Sequence, residues 1–214
     1  MTMETSQSNN EKISFDKYEE MINTMSGINY IIDRNYSIAL YSKKKWDLFA
    51  SNNDGSELTE INRVKEKSIL DRFAGNKVKS YYRSLYDQIF SGHKKEIVIK
   101  SKCDSPAALR DNVLYLTPIY ENMNTKDNVI GVLHQSLILN VEEREAVDLI
   151  KRKNVDSETE FLEMCTICKA VKYQSNGSDK WITDEEYQNL GGNSSIKLEY
   201  SICIDCTTTL DEFL

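Results

Sequence analysis

Four cysteines in two Cys-x-x-Cys pairs, Cys165 with Cys168 and Cys203 with Cys206, are the residues whose type and spacing most directly imply chemistry. Each pair, in a tight turn, can aim two thiolates at one point. Two such turns complete the tetrahedral sulfur shell that Zn²⁺ accepts without geometric strain. Zinc is the default in a structural role, and iron fits the same four-sulfur shell, so both metals stay open. A closed shell leaves no coordination position for a substrate, so its work is to supply folding energy, on the order of 10 kcal/mol.

The 34 residues between Cys168 and Cys203 exceed what a minimal ribbon needs, so this segment must carry structure of its own. Thr183 and Glu186 have the spacing of a capping box, Tyr187 and Leu190 give the following helix an apolar edge, and Gly191-Gly192 ends it. Trp181 is expected to pack beside the metal.

Cys103 is the unpaired fifth cysteine, before an Asp-Ser-Pro turn. It reads either as a strand-end thiol, with Asp104 bonding backbone amides and Pro106 fixing φ, or as a redox sensor or haem thiolate with His93 or His134 opposite. Haem is not the expected cofactor, because neither spacing nor geometry demands it. His134, sharing a strand face with Val132 and Ser136, reads as a structural or surface histidine, and His93, after Gly92, as a solvated one.

The elements that must hold these groups come from a chain of 214 residues, 40% hydrophobic with 12 tyrosines, enough for a packed core in one or two domains. The longest uninterrupted apolar run, residues 129–133, is far short of a bilayer span, and the polar start lacks the basic and apolar regions of a signal peptide. Residues 1–12 read as a disordered leader and the protein as cytoplasmic, where thiols stay reduced and metal is favoured over disulfide. The net charge of −7, with an acidic C-terminal segment, counts against nucleic acid as a partner. No phosphate loop, His-Glu-x-x-His helix or nucleophile elbow occurs, so no catalytic constellation is expected.

Along the chain, residues 15–26 form a helix with Ser14 as N-cap and Gly27 as stop. Its stripe of Phe15, Tyr18, Ile22 and Met25 suits packing on its own domain or a dimerisation seam. A hairpin follows at 29–33 and 36–41, then helical pieces at 43–49 and 64–73 around a polar loop at 51–56. The best-patterned helix is 77–90, with Val78, Tyr82, Leu85 and Ile89 on one face. Strands at 96–102, 112–120 and 129–139 complete the region, and residues 141–163 read as a charged helical linker, either a spacer or a signalling helix.

Two strands, a helical segment and a three-strand meander resemble the layout of a PAS domain over residues 28–140. Asn29-Tyr30-Ile31-Ile32-Asp33 with Ser37-Ile38-Ala39-Leu40 is similar to its opening hairpin. Cys103-Asp104-Ser105-Pro106, Arg110 and Leu114-Tyr115-Leu116-Thr117-Pro118 resemble a subgroup carrying a Cys-Asp-Ser-Pro turn. That subgroup is often followed by a Cys-rich module, which Cys165 to Lys169, Trp181, Glu185-Glu186-Tyr187 and the Cys203/Cys206 pair resemble. The family's His before the third cysteine and Pro after it are absent here, where Glu199, Tyr200, Ser201 and Ile204 stand.

The resemblance implies an α+β PAS fold, a five-stranded antiparallel sheet with flanking helices, after an N-terminal helix at 13–27. A zinc-ribbon-like module follows at 164–214. The function implied is a soluble sensory adaptor that binds an unidentified small ligand or dimerises, with structural zinc. The expected partners are a signalling protein and a second copy of the chain, with neither nucleic acid nor membrane.

Overall fold

The computed structural model describes residues 13–53, 55–103, 108–122, 124–145, 161–175, 177–192 and 196–212. The expected leader at 1–12 lies outside them, as does the middle of the expected linker. The chain is α+β, with a five-stranded antiparallel sheet, a smaller four-stranded sheet and few helices.

The larger sheet is built from β1 (Ile28–Asp33), β2 (Ile38–Tyr41), β3 (Ile97–Lys102), β4 (Ala108–Tyr120) and β5 (Val129–Glu143). Its order is β2-β1-β5-β4-β3, so the first and last strands meet at the centre. Alternation along β1 sends Tyr30 and Ile32 to one face and Ile31 to the other, the period-two rule of a strand buried on both sides. The inner face packs on α3 (Asn76–Phe90), which comes after α2 (Lys43–Asn52) in the chain and whose Val78, Tyr82, Leu85, Tyr86 and Ile89 are all buried. Gly75, at φ +82°, starts α3 and Gly92, at φ +75°, follows its end.

The outer face resolves the two readings of the N-terminal stripe. A short 3₁₀ turn (Asp16–Tyr18) leads into α1 (Glu19–Thr24), and Phe15 and Ile22 are buried against Ile31, Leu40, Ile119, Ile130 and Leu133. The stripe therefore covers its own sheet. Gly131 is small for the same reason: a Cβ there would lie 2.8 Å from the Phe15 ring.

Four expected elements change. The helix expected at 64–73 is replaced by 3₁₀ turns, Ile61–Arg63 and Ile69–Arg72. Its backbone groups bond β2 and the turn before it instead: Glu66 N–H donates to Ile38 O at 2.8 Å, Ile38 N–H to Lys67 O at 2.9 Å and Ile69 N–H to Tyr36 O at 2.8 Å. The strands expected at 112–120 and 129–139 are longer, because β4 and β5 stay paired from Tyr120 and Val129 out to Ala108 and Glu143. The ends of the expected helical linker at 141–163 are strand. Residues 141–143 continue β5, and 161–163 open β6 (Phe161–Cys165), which pairs with β9 (Lys197–Ser201).

The smaller sheet has the order β8-β7-β6-β9, with a hairpin of β7 (Val171–Ser175) and β8 (Ser178–Ile182), and the parallel pair β6 and β9. A parallel pair needs a crossover, and the segment between the cysteine pairs supplies it through β7, β8 and α4 (Asp184–Asn189). Thr183 caps α4 as expected, its hydroxyl accepting from Glu186 N–H at 3.1 Å. Gly191, at φ +79°, follows it.

Candidate metal centre

The parallel register sets the site. Cys165 at the end of β6 lies beside Ser201 at the end of β9, so both Cys-x-x-Cys segments emerge from the same end of one strand pair. Thr166 N–H donates to Ser201 O at 2.8 Å and ties them. The first pair sits in a tight turn, in which Cys165 N–H donates to Ala170 O at 2.8 Å and Lys169 N–H to Cys165 O at 3.0 Å. Lys169 closes that turn at φ +63°, a left-handed conformation unusual for a side chain with a Cβ.

The second pair uses a different device. Cys203 precedes α5 (Ile204–Glu212) and acts as its cap: Cys206 N–H donates to Cys203 Sγ at 3.4 Å and Thr207 N–H to Cys203 O at 3.0 Å. A helix N-terminus carries partial positive charge and favours thiolate sulfur. Cys203 N–H in turn donates to Cys165 Sγ at 3.4 Å and links the two segments directly.

All four Sγ atoms lie within 4.8 Å of one another, and the Cys168 to Cys203 separation is 3.7 Å. Sulfurs about 2.3 Å from a central ion at the corners of a regular tetrahedron would stand about 3.8 Å apart. The cluster therefore fits a tetrahedral ion. Cys165 and Cys203 are buried, Cys206 is half-buried and Cys168 is exposed.

The neighbouring sulfurs shift one another's protonation. The Cys168 thiol and nearby backbone amides donate to Cys165 and pull it down to about 4 against the effect of burial. The same bond pushes Cys168 up, while burial and the Cys165 charge raise Cys206 to about 12. Four sulfurs this close cannot all be anionic unless a cation shares their charge, and a divalent metal does that.

The cluster is not isolated from the larger sheet. Cys165, Ile167 and Cys203 belong to the same apolar core as Tyr82, Tyr86 and Ile99, with Trp181 and Tyr200 packed against it. Tyr82, stacked on Phe73 at 4.0 Å, has its hydroxyl pushed up to about 12 by burial and by the charge of Cys165. Three further contacts fasten the module: Lys102 N–H donates to Ile167 O at 2.7 Å, Lys77 pairs with Glu163 at 3.0 Å, and Gly75 passes beneath Tyr200 O.

Cys103, His93 and His134 do not converge. Ile97, Leu116 and His134 form one cross-strand row, and Cys103 lies six positions beyond Ile97, roughly 20 Å of extended chain. Its N–H donates to Arg110 O at 2.9 Å, and its side chain is half-buried. Asp104 to Ala107 lie outside the described residues. His93 is exposed in the turn after α3, whereas His134 is 8% exposed in the inner core, stacked on Tyr30 at 4.2 Å. Burial lowers the His134 pKa to about 3, and its Nδ1 has no hydrogen-bond partner among the described residues.

Tyr30, Tyr82 and Tyr86 are buried in the core between sheet and α3, with His134 stacked on Tyr30. Two surface grooves have volumes of about 380 and 390 Å³, the first lined by residues including Lys45, Phe49, Arg110 and Ile138. Sequence reasoning missed the Arg144 ion pair with Asp184, since neither residue's type distinguishes it from the charged residues around it.

No protein-family model matches the chain, and no curated protein matches it. The fold and site define an α+β protein with a five-stranded antiparallel sheet and four clustered cysteines able to hold a metal ion. Among the described residues no helix is long and apolar enough to cross a membrane.

Proposed function

We propose that the chain is a non-enzymatic sensory adaptor with a PAS-like domain, in which a structural zinc ion at Cys165, Cys168, Cys203 and Cys206 clamps a C-terminal module onto that domain. The observation that carries this reading is the shared core: metal-ligand cysteines and the buried face of α3 pack as one cluster. A hairpin, a helical crossover and a meander closing into one sheet with β1 and β5 central support the PAS-like assignment. Zinc is favoured because four thiolates form a closed shell whose role is folding energy.

The module then presents a surface to a protein partner, its position fixed by the clamp. Haem is not part of this reading, since Cys103 lies far along the sheet from the His134 row and Tyr30, Tyr82 and Tyr86 are buried in the core. Native mass spectrometry with an absorbance spectrum tests it. One zinc per chain and no Soret band are expected, whereas a haem-laden or metal-free folded chain would overturn it.

A further inference from the structure

The four sulfurs differ in access. Cys165 and Cys203 are buried in the shared core, while Cys168 and Cys206 both reach the surface, Cys168 as the more exposed residue. Its Sγ is 3.7 Å from that of Cys203, on the other Cys-x-x-Cys segment. The turn carrying Cys168 also carries Ile167, whose carbonyl accepts from Lys102 at the end of β3. An event at Cys168 is therefore one residue from a contact that fastens the module to the larger sheet.

We propose that the metal centre is a peroxide-releasable latch, opened by a disulfide between Cys168 and Cys203. This rests on the reading that the cluster holds zinc. The Cys168 sulfur attacks one oxygen of hydrogen peroxide. The O–O bond breaks, hydroxide leaves and takes a solvent proton, and Cys168 becomes a sulfenic acid. The Cys203 sulfur then attacks the Cys168 sulfur, the S–O bond breaks, and the second hydroxide is protonated.

The two sulfurs lose two electrons, the peroxide gains them and becomes two waters, and Zn²⁺ leaves for want of two ligands. With the shell gone, the turn of Ile167 loses its anchor. The bond to Lys102, the Lys77 pair with Glu163 and the contact of Tyr200 over Gly75 are the ones released. The face of α3 bearing Tyr82 is what that release uncovers.

The test treats the zinc-loaded full chain with hydrogen peroxide and follows zinc with a chromophoric chelator, disulfides by peptide mapping, and the Lys102 amide by hydrogen exchange. Zinc release in step with a Cys168 to Cys203 disulfide is expected, with Lys102 exchange accelerated about 10-fold or more. Cys103→Ser is expected to behave identically, and a dithiol with added zinc to restore the starting state. Zinc that stays bound, release without that disulfide, release that leaves Lys102 exchange unchanged, or loss of release in Cys103→Ser would each overturn the latch. A chain that takes up no zinc at all would remove the metal reading beneath it.

Discussion

The guanidinium of Arg144 grips the carboxylate of Asp184 with both terminal nitrogens, Nη1 donating to Oδ1 at 3.3 Å and Nη2 to Oδ2 at 2.9 Å, and also pairs with Glu185. The side chains of Arg144 and Asp184 are 9% and 6% exposed. Arg144 directly follows β5 and Asp184 opens α4, so this pair joins the larger sheet to the cysteine module. Arg144→Met leaves a buried carboxylate uncompensated and is expected to cost about 3–5 kcal/mol. The double variant Arg144→Met/Asp184→Leu should recover most of that in urea unfolding of the zinc-loaded chain. A double variant no better than the single one would refute the pairing.

Gly75 tests the docking of the module on α3. At φ +82°, ψ 142° it occupies backbone space almost confined to glycine, and a Cβ would lie 2.6 Å from Tyr200 O. Gly75→Ala is expected to destabilise by about 2–3 kcal/mol or more, through strain and displacement of β9. Gly92→Ala has positive φ but nothing within 4 Å, and should cost only the conformational part, about 1 kcal/mol. Equal losses would mean that the Tyr200 contact does not hold the module.

His134 gives the fold a defined response to acid. Its pKa falls from about 6.5 unfolded to about 3 folded through burial. Between those values the unfolded chain binds the extra proton, so stability is complete above the unfolded pKa and declines as pH falls toward the folded one. Lowering pH from 7 to 5 should remove about 2 kcal/mol through this residue. His134→Phe, which keeps a ring against Tyr30, should lose that much less over the same interval. Urea midpoints at the two pH values for both proteins decide it, and parallel losses would refute the assignment.

Ile22, with no exposed surface, packs beneath α1 on the outer face of the sheet. Ile22→Ala is expected to destabilise the chain by about 2–4 kcal/mol and to leave its sedimentation coefficient unchanged. A change of oligomeric state without loss of stability would restore the dimerisation reading of the stripe.

How much was legible in sequence follows from which interactions are local. The four cysteines, the Thr183 cap and the α3 stripe were readable because spacing alone dictates a shared point, a hydrogen bond or a face. Residues 64–73 misled because Val64, Ile69 and Leu70 are buried as a helix pattern suggests, while Glu66 and Lys67 bond Ile38, a partner that pattern cannot reveal. Ile22 could be recognised as apolar, but not which surface it would cover. The parallel pairing of β6 with β9 and the meeting of Arg144 with Asp184 depend on contacts across about 40 residues, visible only once the chain has folded.

In the proposed reading a metal ion at the four cysteines clamps the C-terminal module to the larger sheet. Hydrogen exchange across the full chain, with and without a zinc chelator, tests it most directly. Zinc removal is predicted to deprotect β6, β9 and the first turn of α5, and also the Lys102 amide at the end of β3, with recovery on adding zinc back. Protection unchanged in both the module and Lys102 would mean that no ion at the cysteines holds the module in place.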